Sequence, residues 1–357
     1  MKSIVNPPGN ASSIQCGVDP THTRMRLIVM YAFLLLFNLT SWVWAILAFG
    51  HRPDLLGVSL LVYGLGLRHA VDADHITAID NVTRKLMQDN KRPTSVGFWF
   101  AIGHSSIIVV VALMVASAEH YLSRFDALRS IGTLVSTSIS VVFLMAIAVM
   151  NVTIFFSLYR NYRNLKQTGR YQSEKIESLL DQRGFLARIL TPLFRLVSKS
   201  WHMVFLGLAF GLSFDTATEI AMFTVSAKQV ASGVSLGTIA VLPLLFAAGM
   251  TLVDTTDGVM MLKAYEWAFI NPIRKIYYNM TITLVSVCIA VFIAAVEAMA
   301  MLADKFSLGG GIWKAVQGIE DHFNALGFSI IAILLAVWMV SYLVSLSRTR
   351  GTAGITP

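Results

Sequence analysis

The stretch GLGLRHAVDADHITAID, Gly64 to Asp80, decides how this chain is read. It closes an apolar run, Leu55 to Leu67, hydrophobic enough to enter a bilayer, yet it crowds Arg68, His69, Asp72, Asp74 and His75 into eight residues. A carboxylate or guanidinium at the centre of a membrane helix costs about 2.5–3.5 kcal/mol on insertion scales. Charge at this density needs mutual pairing, a water-filled cavity or a bound cation, and such residues mark functional sites by default.

The rest of the chain agrees that lipid is the solvent. Of 357 residues, 55% are hydrophobic and 13% charged, against roughly 25% charged in ordinary soluble domains. Apolar stretches of about 20 residues predict an all-α, polytopic integral membrane protein with eight spans, at 27–49, 55–78, 97–118, 132–158, 203–226, 236–262, 278–303 and 324–346. This divides the chain into a polar head (1–26), four spans carrying the charged motif (27–158), a basic loop (159–202), four further spans (203–346) and a tail (347–357). The head lacks the apolar core and cleavage site of a signal peptide, so the first helix is expected to remain in the mature protein. The two cysteines, Cys16 in the head and Cys288 in a span, offer neither a bridge nor a thiolate cage. The chemistry rests on nitrogen and oxygen.

Lys and Arg are retained in cytoplasmic loops. With the N-terminus inside, 21 of the 28 basic residues fall on the inner side and six on the outer, while Arg68 alone lies within a span. Both termini are therefore expected in the cytoplasm. The net charge of +8 is dispersed over inner loops, which explains it without nucleic acid. The loop's expected role is anchoring, with an amphipathic surface helix at Ile176 to Val197.

Two segments echo each other. FAIGHSS (Phe100 to Ser106) resembles FAAGMTL (Phe246 to Leu252), and DADHI (Asp72 to Ile76) parallels DTATEI (Asp215 to Ile220). The paired spans would cross the bilayer in opposite senses, which describes an inverted repeat, and transporters place substrate between such halves on glycine-interrupted helices. Gly64, Gly66, Gly103, Gly207, Gly211 and Gly249 stand beside the polar clusters.

On a regular helix His69, Asp72 and His75 share one arc of about 120° while Asp74 looks elsewhere. The two histidines would then be about 9 Å apart along the axis, too far to share bonds of about 2 Å to one ion. Either the helix unwinds here or an ion passes from one pair to the next. His104 in span three stands at a similar depth and can converge on the same point. Asp215 and Glu219 lie four apart, Asp254 and Asp257 three apart; alone, each pair reads equally as a proton relay or packing glue. His22, His51, His120, His202 and His322 sit in polar ends and loops, and Glu119 and Glu297 are expected at membrane edges. The 16 methionines are scattered and read as packing, not as a thioether path for Cu(I).

Taken together, RHAVDADHITAIDNVTRKLM, FWFAIGHSSIIVVVAL, GLSFDTATEIAMF and GMTLVDTTDG resemble the four signature segments of the nickel/cobalt transporter family, NiCoT, whose defining element is H-x4-D-H, here His69, Asp74 and His75. The resemblance implies high-affinity uptake of Ni²⁺, with Co²⁺ carried by some members. It makes His69, Asp74 and His75 essential to the path, supported by Asp72, His104, Asp215, Glu219, Asp254 and Asp257. Imidazole and carboxylate suit borderline divalent ions such as Ni²⁺, Co²⁺ and Zn²⁺.

The expected protein is thus an inner-membrane permease that imports Ni²⁺, and Co²⁺ as a second substrate. Its partners are the ion and membrane lipid, with no resident cofactor and no ATPase subunit. No GxxxxGK[ST] loop occurs. Export of the same ions is one alternative. The other is a membrane acyltransferase or metal hydrolase using His69 and Asp74, which is disfavoured because Arg68 is the one basic group nearby within the span and no HExxH occurs.

Overall fold

The computed structural model describes residues 20–89, 91–117, most of 134–163, 197–212, 217–268, 272–320, 322–323 and 325–334, with scattered positions beyond. The described residues are helical and contain no strand. In chain order they form α1 (Pro20–Phe49), α2 (Pro53–His69), α3 (Ala73–Gln88), α4 (Val96–Ser117), α5 (Thr137–Ala146), α6 (Met203–Phe210), α7 (Ala217–Ala231), α8 (Leu236–Ile239), α9 (Val241–Ala268), α10 (Pro272–Lys305), α11 (Gly311–Glu320) and α12 (Ala325–Leu334).

Four stretches are long and apolar enough to cross a membrane: Thr23–Phe49, Val96–Val115, Leu236–Glu266 and Thr283–Lys305. The bent pair α2 and α3 makes a fifth if counted as one span. These correspond to expected spans one, three, six, seven and two. At the positions of spans four, five and eight the described residues form shorter helices, so four of the expected spans, or five with the bent pair, are matched by helices of membrane length. The head (1–19), most of the basic loop with its expected surface helix, and the tail lie outside the described residues.

Span two is not one continuous helix over 55–78. The chain stops helical hydrogen bonding at His69, turns with Val71 N–H donating to the Arg68 carbonyl (3.1 Å) and Asp72 N–H to the His69 carbonyl (3.0 Å), and restarts at Ala73 with a 50° bend. Asp72 explains the restart. Its backbone is extended (φ −70°, ψ 147°) and its carboxylate accepts from Ala73 N–H at 3.2 Å, an N-cap. Asp74 follows in the first turn, where negative charge suits the helix dipole. Gly327 of α12 lies against the Val71 carbonyl so closely that a Cβ there would collide with it.

Long α9 is the post around which the fold is built, packing against α1, α2, α3 and α4. Glycines set its closest crossings. Gly66 of α2 abuts the Phe246 carbonyl, and Gly249 of α9 abuts Tyr63 and Leu67 in return. The crossing of α4 with α6 is built the same way: Gly207 abuts the Phe100 carbonyl and Gly103 the Val204 carbonyl. Such small-residue contacts let helix backbones approach in lipid, where no hydrophobic force drives them together. By contrast α1 turns Leu35, Leu36, Leu39 and Leu47 outward, a stripe that acyl chains solvate. Glu297, expected at a membrane edge, is instead buried and accepts from Ser140 Oγ at 2.8 Å, because α10 presents it to α5.

Candidate metal centre

The break after His69 brings together what a regular helix would hold apart. His69 ends α2 and His75 sits in the first turn of α3, yet their ring centroids are 4.8 Å apart. His104 projects from the middle of α4 to the same point, 5.1 Å from His69 and 4.7 Å from His75. One ligand nitrogen from each of the three lies within 4.8 Å of the others, and all three rings are buried. Of the two geometries left open by the sequence, the unwound helix is the one adopted.

Glu219, in the first turn of α7, closes the cluster. Its Oε1 is 3.2 Å from His104 Nε2 and 3.5 Å from His69 Nε2, and those two nitrogens are 3.1 Å apart. A triangle with these sides has its corners about 1.9 Å from its centre. An ion about 0.9 Å above the plane would therefore make three bonds of about 2.1 Å, the length of metal–imidazole nitrogen and carboxylate oxygen bonds. Glu219 is fully buried. An acid there is costly to ionise without a cation nearby.

His75 is oriented from behind. Its Nδ1 lies 3.4 Å from Oδ1 of Asp254 on α9, itself fully buried. A carboxylate on one ring nitrogen fixes the tautomer and leaves the other nitrogen to accept a metal. Phe100 and Phe246 wall the centre, with ring centroids 4.9 Å from His75 and 5.5 Å from His69. Five helices thus each supply one polar group to a buried cluster.

The other sequence candidates stand around this core. Asp72 is buried as the α3 cap, and Asp74 is half-buried and accepts from His75 N–H at 2.8 Å. Both place negative charge at a helix N-terminus that would otherwise repel a cation. The expected shared arc of His69, Asp72 and His75 does not occur, because the break rotates α3 relative to α2. Asp257 is buried one turn beyond Asp254 on α9. Asp215 lies outside the described residues. Arg68 is exposed.

Sequence reading singled out neither Asp80 nor Arg84. Asp80 is buried on α3 and accepts from the Tyr265 hydroxyl and from Ser286 Oγ (3.1 Å). Arg84 is fully buried one turn later, with Nη2 donating to Asn81 Oδ1 at 2.8 Å. Their positions three and seven residues after Thr77, on one helical face, were the available signal.

No solved structure matches the chain. It is 48% identical over 322 residues to a high-affinity nickel transport protein of Cupriavidus necator, covering 90% of this chain and 92% of the relative. With nickel transporter NixA of Staphylococcus aureus the identity is 41% over 322 residues, covering 90% and 94%. With the cobalt transport protein NhlF of Rhodococcus rhodochrous it is 37% over 288 residues, covering 80% and 81%. The family model described as high-affinity nickel-transport protein matches residues 55–344, from the start of α2 past α12. With its buried histidine cluster set among membrane-length helices, this chain belongs to the family of high-affinity nickel-transport proteins.

Proposed function

We propose that the chain imports Ni²⁺, and Co²⁺ as a second substrate, across the bacterial cytoplasmic membrane, with both termini in the cytoplasm. The observation that carries this reading is the convergence of His69, His75, His104 and Glu219, drawn from four helices into one buried point. In this reading those four are the ion's ligands. Asp254 orients His75, Asp72 and Asp74 hold the broken helix in register and attract the cation, and Asp215 serves the same end. The names of the relatives, nickel transporters for the most part and one cobalt transporter, support this choice of substrates.

Import needs no nucleotide. A divalent cation gains about 4.6 kcal/mol entering across 100 mV, twice the single-charge value. The two glycine crossings support an inverted repeat, in which α2 with α3 and α4 are matched by α6 with α7 and α9. Rocking of one half against the other around the fixed centre would then expose it alternately to the two sides. The eight-span layout completes this scheme.

The decisive experiment is ⁶³Ni²⁺ accumulation by cells expressing the chain, with Co²⁺, Zn²⁺ and Mn²⁺ as competitors. His69→Ala and His75→Ala are expected to reduce accumulation to background, with Co²⁺ the strongest competitor in the parent. Normal accumulation by both variants refutes the site.

A further inference from the structure

The turn between His69 and His75 is held from one side by a helix that supplies no ligand. Around the break, backbone N–H groups donate to the carbonyls of Gly66, Arg68, His69 and Asp72, and among the described residues no backbone N–H donates to that of Val71. Gly327 of α12 stands there instead. A Cβ on it would run into the Val71 carbonyl oxygen and lie 2.8 Å from the carbonyl carbon and 3.1 Å from Ile76 Cδ1. The hydrogen that glycine carries in that place therefore points at the oxygen. Cα–H···O contacts of this kind recur where helices approach closely, and no residue with a side chain could make this one.

The contact is the centre of a larger seat. Gly327 is buried, and Phe323, Ile330 and Leu334, also buried, fall with it on one helical face. Those three share an apolar cluster with Val71 of the turn and with Ala73 and Ile76 of α3. The described residues of α12, 325–334, contain no ionisable group, and α12 lies outside both halves of the inverted repeat. Its bearing on the metal centre is through shape alone. The Asp72 cap fixes where α3 starts, but the direction in which α3 leaves the turn needs a contact from outside the segment. Were helical bonding to close over residues 70–72, the two histidines would stand about 9 Å apart along the axis.

We propose that Gly327 is a positioning residue of the metal centre: seated on the Val71 carbonyl, it clamps the turn open and sets the separation of His69 from His75, a role that rests on the reading of the three histidines as ligands. A helix outside the repeat thereby holds two ligands in place without touching the ion. The same clamp supplies a means of release. Withdrawal of α12 frees the turn to regain helical bonds, which parts the two imidazoles and leaves the ion to the remaining ligands.

Gly327→Ala tests this on the purified full chain in detergent. Affinity is read by equilibrium dialysis of ⁶³Ni²⁺, and ligation by the imidazole scattering in Ni K-edge X-ray absorption, with His75→Ala as the reference that lacks one imidazole. Gly327→Ala is expected to weaken binding about 10–100-fold, the range for groups that orient a ligand, and to move the imidazole signal to that of His75→Ala in protein of unchanged size-exclusion profile. Gly318→Ala on α11, where a Cβ meets nothing, should bind as the parent does. Parent-like affinity in folded Gly327→Ala overturns the clamp. Weaker binding with the full imidazole signal also overturns it, since that is what a merely structural role gives. Should Gly327→Ala fail to elute as a folded protein, Ile330→Ala decides: it loosens the seat without a collision and should weaken binding at least about threefold with the same drop in imidazole signal, and parent-like behaviour overturns the clamp. An imidazole signal in His75→Ala equal to the parent's defeats the histidine centre instead.

Discussion

Two helix crossings in this protein are built on one plan and furnished differently. Where α2 meets α9, Gly66 lies on the Phe246 carbonyl and, three residues on, the His69 ring packs 5.5 Å from Phe246. Where α6 meets α4, Gly207 lies on the Phe100 carbonyl and, three residues on, the Phe210 ring packs 5.5 Å from Phe100. The backbone contact is the same and the side chain in the corresponding place is an imidazole in one and a hydrocarbon in the other. Scaffold and chemistry are therefore separable: glycines fix the approach of the helices, and the side chain three residues on sets whether the crossing is polar or apolar.

The largest expected difference between the crossings is functional. His69→Ala should reduce Ni²⁺ uptake roughly a hundredfold or more, beyond the 10–100-fold typical of losing a group that only supports a ligand. Phe210→Leu should keep the Ni²⁺ affinity of the purified protein within about threefold and cost less than about 1.5 kcal/mol in thermal stability. Equal loss of binding in both variants would erase the contrast. Asp254→Asn tests the support behind His75 and is expected to weaken binding about 10–100-fold, read by dialysis on protein of unchanged size-exclusion profile.

Proton competition sharpens the comparison further. A metal takes neutral imidazole, so binding is full above the ordinary histidine pKa of about 6.5 and is lost as pH falls below it. Uptake should drop roughly tenfold or more between pH 7.5 and 5; a flat profile across that range would remove imidazole from the path.

The smallest expected effect concerns the shared scaffold. Gly66→Ala and Gly207→Ala each drive a Cβ into a backbone carbonyl, and both should destabilise by about 1–3 kcal/mol. Gly57→Ala on α2, where a Cβ meets nothing, serves as the control and should be neutral or stabilising by up to about 1 kcal/mol. A large penalty at one crossing alone, read as a shift in melting temperature, would show that the two are not equivalent.

Much of the site was legible because its residues violate a strong rule. Imidazoles in apolar spans stand out wherever they occur, so His69, His75 and His104 could be named from composition and position, whereas Glu219 and Asp254 entered the set through the family resemblance. Asp80 and Arg84 escaped notice because they follow the expected start of an inner loop, where charge is ordinary; only the extension of α3 to Gln88 shows them buried. Glu297 escaped for the converse reason. Near the end of a span it reads as interfacial, and the burial comes from α5 packing over it.

The amino-acid sequence by itself determined that the chain lives in lipid, that it is helical, and that most of the ionisable groups inside its apolar spans fall in the four segments that place it among metal transporters. These are consequences of transfer energies and residue types, which act locally. Only the tertiary structure decided that two histidines six residues apart face one point with a third from α4 and a carboxylate from α7. That outcome depends on where the helix breaks, on the Asp72 cap that restarts it, and on glycine contacts made by residues distant in the chain, none of which is a property of one segment alone.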